Sequence, residues 1–126
     1  MSDTENEKII LRWFDAVNQG DLDLLDPLAE ELFTPDFVEH DPRMPDFELG
    51  PAGVKKFIHQ VLRENINVNV TVHDIFSCED KTAYRFTVSM IDSASGKPVN
   101  VQLLTITRFS AGQCAEEWQL SGQGEW

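Results

Sequence analysis

Residues 54–73 read Val54-Lys55-Lys56-Phe57-Ile58-His59-Gln60-Val61-Leu62-Arg63-Glu64-Asn65-Ile66-Asn67-Val68-Asn69-Val70-Thr71-Val72-His73, and the spacing of apolar side chains changes inside this stretch. Up to Leu62, the residues Val54, Phe57, Ile58, Val61 and Leu62 recur at the three- and four-residue intervals of an amphipathic helix. From Ile66 the interval drops to two: Val68, Val70 and Val72 alternate with Asn67, Asn69, Thr71 and His73, as in a strand with one covered face. The switch separates a helical first half from a strand-rich second half. That division predicts an α+β fold rather than alternating βαβ units.

Working outward, residues 4–19 predict a first helix with Ile9, Ile10, Trp13, Phe14 and Val17 on its apolar stripe. Thr4 and Glu7 have capping-box spacing, and Gly20 stands where a helix-ending glycine belongs. Asp21 to Phe33 predicts a second helix, with Leu22, Leu25, Leu28 and Leu32 on one stripe. Asp36 to Asp41 reads as a short extended segment closed by Pro42; a proline-rich loop runs to Pro51, and the third helix spans 52–63. Beyond it, Tyr84, Phe86, Val88 and Met90 alternate with Arg85, Thr87 and Ser89. Ser93-Ala94-Ser95-Gly96 is a turn signal, and Val99 to Phe109 is a long strand whose apolar phase slips at Leu103-Leu104, predicting a bulge or a doubly buried stretch. Ala111-Gly112-Gln113 is a hairpin turn and Cys114 to Ser121 the last strand, so these strands meander antiparallel.

The 126 residues form one expected domain, spanning 1–126, with 22 acidic against 10 basic residues and a net charge of −12. A polyanion with no basic stripe is not built for nucleic acid, and an anionic membrane is disfavoured for the same reason. No apolar run approaches the roughly 18 residues of a membrane span. Cys78 and Cys114 sit in no Cys-x-x-Cys pattern, and the three histidines have no ligand spacing, so neither a metal nor a cofactor is expected. Two free thiols behind a polar, acidic N-terminus point to a cytoplasmic protein.

Four segments carry a family resemblance. Trp13-Phe14-Asp15-Ala16-Val17-Asn18-Gln19-Gly20-Asp21 is a helix running into an Asn-x-Gly-Asp turn; Phe37-Val38-Glu39-His40-Asp41-Pro42 is a short strand. Gly50-Pro51-Ala52-Gly53 opens the third helix, and Ile106-Thr107-Arg108-Phe109 leads through Gly112 to Glu116-Glu117-Trp118. In this order and spacing they resemble the SnoaL-like branch of the nuclear-transport-factor-2-like superfamily. The resemblance implies three helices packed on a strongly curved, mainly antiparallel sheet, forming a cone with an internal pocket. It also implies a homodimer through the open face of the sheet, with Val68, Val70 and Val72, or Tyr84, Phe86 and Val88, as the contact surface.

Ketosteroid isomerases, which resemble the chain here, carry their catalytic aspartate near His40. With Val38 taken as pocket-facing, strand alternation turns His40 the same way, and an imidazole in an apolar cavity can abstract a proton beside a carbonyl. The competing role for His40 is a loop anchor. Asp41 is a second candidate acid/base, with loop capping before Pro42 as its alternative. Trp13, Val38, Phe86, Trp118 and Gln119 are expected to shape and orient the ligand. Several departures from the family pattern stand beside these expectations: Gln119 occupies the position of the cyclases' acid/base aspartate, and no histidine lies in the 92–97 turn. Trp13 replaces the tyrosine of the isomerases, and Thr87 breaks an Asp-Arg-Asp relay around Arg85. The expected function is binding of a small apolar or aromatic carbonyl compound, with cofactor-free isomerisation or cyclisation. The alternatives are a binding module without turnover and a structural dimer.

Overall fold

Gly20, at φ 66°, ends helix α1 (Asp3–Gln19), its N–H bonding the Val17 carbonyl at 3.0 Å, and Asp21 then caps helix α2 (Leu22–Leu32) by accepting the Asp23 N–H at 3.0 Å. The computed structural model describes residues 3–126. Thr4 lies inside the first turn of α1 rather than ahead of it, so the expected capping box is not formed as read. Strand β1 (Phe33–His40) follows α2 directly, longer than expected, and helix α3 (Gly50–Glu64) starts two residues early.

The remaining strands are β2 (Asn65–Cys78), β3 (Lys81–Asp92), β4 (Pro98–Ser110) and β5 (Gln113–Gln123). They pair antiparallel in sequence, and β1 joins parallel to β5, giving the order β1-β5-β4-β3-β2. The fold is α+β, as the change of period predicts. At Ser110-Ala111-Gly112-Gln113 both central residues have positive φ (48° and 80°), the backbone twist a two-residue hairpin needs.

One face of the sheet carries the helices and the core, with Leu25, Phe37, Val54, Ile58, Tyr84 and Phe86 buried together. The edge strand β2 is tied to α1 by a side chain acting as a strand fragment. Asn18 donates to the Val70 carbonyl at 3.1 Å and accepts the Val70 N–H at 2.6 Å.

Two expectations change. Leu103-Leu104 is not a bulge: β4 runs in register with β3 there, Leu103 is buried and Leu104 stands exposed on the opposite face. The bulges lie elsewhere, one of them at His73, which is skipped between the pairs Val72–Phe86 and Asp74–Arg85. Val68, Val70, Tyr84, Phe86 and Val88 all face the helices, as Val72 packs on the core, so none of these residues offers a partner surface. The outer face instead exposes Phe76, Leu104, Ile106, Trp118 and Leu120. The chain's last residues lie against the sheet: Gln102 donates to the Gly124 carbonyl at 2.7 Å, and Arg85 sits 5.1 Å from the Trp126 ring centre.

Candidate functional site

Strand β1 decides what reaches the interior. Phe37 is 1% exposed and packs edge-on against Phe33 at 4.8 Å, so its bulk anchors the inner face. Alternation then sends Glu39 inward and Val38 and His40 outward, and Asp41, just beyond the strand, is buried. The expected phase, with Val38 and His40 facing the pocket, is therefore reversed. His40 stacks on Trp118 on the outer face, ring centres 5.5 Å apart, and its Nε2 lies 2.7 Å from Glu116 Oε2. Hydrogen bonds from His40 and Arg108 hold the Glu116 carboxyl below its usual range. Trp118 is likewise an outer-face residue: with His40 and Leu120 it lines an open concavity on that side and not the interior cavity. Trp13, Phe86 and Gln119 do line the interior.

Between the helices and the sheet lies a cavity of about 180 Å³. Trp13, Phe14, Phe37, Phe47, Phe57 and Phe86 form much of its apolar wall. Its polar groups come from the β1–β5–β4 ladder. Glu39 and Glu117 are register partners across the parallel pair, and their carboxyls hydrogen-bond each other. Glu117 Oε1 accepts from Thr107 Oγ1 at 2.7 Å and from the Tyr84 hydroxyl at 3.0 Å. With Thr107 and Tyr84 both donating to it, Glu117 is the carboxylate of the pair and Glu39 the protonated partner. Burial, followed by the Glu117 charge, pushes the Glu39 carboxyl far above the carboxylate range. Burial and the same charge also raise Tyr84 and Cys114, keeping the phenol and the thiol neutral.

Next to this pair sits a saturated network. Asp41, whose side chain is fully buried, accepts the Arg43 backbone N–H at 2.9 Å, Arg43 Nη2 at 3.1 Å and Gln119 Nε2 at 3.0 Å. Burial opposes ionisation of Asp41, but the bonds from Arg43 and Gln119 outweigh it and hold the carboxyl below its usual range. Gln119 in turn accepts from Thr105 Oγ1 at 3.0 Å. Asp41 thus braces the rim and orients Gln119, with its lone pairs already engaged. Among the described residues no group of three His, Cys, Asp or Glu side chains could hold a metal ion, and no helix is long and apolar enough to cross a membrane.

The family model of the SnoaL-like domain matches residues 10–117. The chain belongs to the SnoaL-like domain family. Among curated proteins, no sequence matches it. Solved structures share the fold over nearly the whole length. TsrD from Streptomyces laurentii is 21% identical with a TM-score of 0.82, the match covering 96% of this chain and 90% of that one. AclR from Streptomyces galilaeus, a candidate hydroxylase, is 24% identical with a TM-score of 0.79, covering 96% and 91%. IdmH from Streptomyces antibioticus, a candidate polyketide cyclase, is 25% identical with a TM-score of 0.77, covering 92% and 91%.

In this SnoaL-like domain, Glu39, Glu117, Tyr84 and Arg43 are polar residues of the cavity wall that the sequence expectations do not include. The available signal was Phe37: as the bulkier neighbour of Val38 it was the better inner-face anchor, and choosing it would have turned Glu39 and Asp41 inward.

Proposed function

We propose that the cavity binds a small apolar ring compound and that the Glu39–Glu117 pair moves a proton on it. What carries this reading is a carboxyl and a carboxylate held side by side at the wall of an apolar cavity, supported by Tyr84 and Thr107. A proton leaving the ligand passes to Glu39 Oε1 while the proton Glu39 already carries shifts to Glu117; the reverse step returns a proton to another ligand atom. The net change is an isomerisation or a cyclisation, and neither metal nor cofactor enters it. His40, outside the cavity, takes no part.

The reading is tested with 2-hydroxycyclohexanone, which fits one ring and carries an acidic C–H beside its carbonyl. At ~100 times its dissociation constant the ligand adds about 2.7 kcal/mol of stability, a shift of several degrees. Deuterium exchange at that carbon, followed by NMR in D2O, is expected to fall on the order of 10² to 10⁴-fold in Glu39→Gln, with the thermal shift retained. Equal exchange in both proteins would remove the acid/base role. Binding without any catalysed exchange by wild type leaves the second reading, a binding module without turnover, which Gln119 in the cyclase aspartate position favours.

The outer face is assigned to a second copy of this chain. Phe76 and Leu120 are 65% and 64% exposed there, beside Leu104, Ile106 and Trp118, a patch of the kind soluble chains cover by association. Sedimentation is expected to show a dimer at micromolar concentration and a monomer for Leu104→Lys/Leu120→Lys. A wild-type monomer refutes the assignment.

A further inference from the structure

The hydroxyl donors beside the acid pair are already committed. Thr107 donates to Glu117 Oε1, so the Tyr84 hydroxyl, 2.8 Å from Thr107 Oγ1 and 3.0 Å from Glu117 Oε1, shares its single proton between these two oxygens. The Glu39 proton is shared with Glu117. Arg43 is turned to Asp41 through its side chain and its backbone. What is left over is an acceptor: Glu39 Oε1 is buried and has no hydrogen-bond partner. Buried polar atoms without partners are rare, and one at the wall of a cavity states which complement is missing. A bare carbonyl, itself only an acceptor, cannot supply it.

Size gives a second, independent limit. An apolar cavity of roughly 150 Å³ takes one benzene ring. The cavity of about 180 Å³ therefore takes one ring with a short substituent, and a fused four-ring skeleton is too large.

We infer that the ligand is a single-ring apolar compound bearing one O–H or N–H donor, seated with that donor on Glu39 Oε1 and its ring against Trp13, Phe14, Phe37 and Phe86. This rests on the proposed binding function and narrows it: a hydroxyl, enol or amine hydrogen, rather than a simple ketone, meets the acid pair. The hydroxyl and amine sources share one chemistry, and the probes below separate them.

The experiment measures dissociation constants by calorimetry for benzyl alcohol, benzylamine, benzaldehyde and toluene. Wild type, Glu39→Gln and Glu39→Leu are compared. Wild type is expected to bind the alcohol or the amine at least ~10-fold more tightly than benzaldehyde or toluene, the equivalent of one good hydrogen bond. Whichever of the two binds better identifies a neutral or a charged donor, and either order supports the inference. Glu39→Gln keeps the preference, because its NH2 must face the Glu117 carboxylate and so leaves the amide oxygen toward the cavity. Glu39→Leu loses the preference yet still binds toluene, which shows that the cavity is intact. Benzaldehyde binding wild type as tightly as the donors overturns the inference, as does a donor preference that survives in Glu39→Leu. A hydroxysteroid bound as tightly as benzyl alcohol overturns the size limit. If none of the four probes binds wild type or Glu39→Leu, the binding function itself fails, an outcome distinct from the others.

Discussion

Glu39→Gln is expected to melt well above wild type at pH 8 and close to it at pH 4. The folded protein holds Glu39 protonated far above the range in which an unfolded chain releases that proton. A carboxyl raised in this way contributes its full stability below its unfolded pKa, about 4.3, and loses it as pH climbs toward the folded value. Over that window, wild type therefore loses up to about 1.4 kcal/mol per pH unit relative to a variant with nothing to titrate. The amide keeps the bond to Glu117, so the comparison isolates the proton. Asp41 acts with the opposite sign. Its lowered carboxyl adds stability above the usual aspartate pKa and gives it up only as pH falls through the folded value, so it titrates in acid, outside this window. Urea denaturation of both proteins from pH 4 to 9 measures the difference. Two parallel stability curves would show that Glu39 is not held protonated, and the assignment of the shared proton would fall with it.

Gly53→Ala is expected to act in the opposite direction, as a severe destabilisation. A methyl group placed on Gly53 would stand 1.8 Å from the Glu48 carbonyl oxygen and 2.9 Å from the Phe47 ring. The first neighbour is backbone and cannot swing aside. Either α3 or the loop of residues 42–49 must move, and that loop carries Arg43, Met44 and Phe47 to the cavity. A loss of roughly 3–5 kcal/mol follows, the scale of the severest single substitutions, and the melting temperature drops by about 10 °C or more. Gly122 is the control: an added methyl group meets nothing within 4 Å, and alanine there is expected to change stability by no more than about 0.5 kcal/mol. Equal effects at the two glycines would refute the close approach of the loop to α3.

How much of this was legible depended on whether periodicity alone could speak. The helices and the β3–β4–β5 meander were readable because each buries one face, and burial imposes the period. The antiparallel pairing of β2 with β3 was part of the same expectation, but the turn that joins them was not readable. Glu79, at φ 57°, takes a turn position where glycine or asparagine would have announced itself. The bulge at His73 also shifts the phase, so that Ile75 points inward and Phe76 outward. Leu104 was unreadable for another reason: exposed apolar residues on the outer face imitate a slip of register. The site suffered most, because Glu39 and Glu117 are acids on inner-face positions. Polar residues inside break the same alternation that identifies the inside.

The parallel pairing of β1 with β5 has a consequence for how the site can be lost. Glu39 faces Glu117, and Asp41 bonds Gln119 across 78 positions of sequence, so both halves of the polar wall meet only through this ladder. β1 is an edge strand, held to the sheet along one side. Detaching it separates the acid pair and the Asp41 network together while leaving the pairing of β2, β3, β4 and β5 in place. If the proposed binding function holds, occupancy of the cavity is coupled to this local opening, which requires less free energy than global unfolding, and a ligand would act as a clasp on the strand that completes its own site.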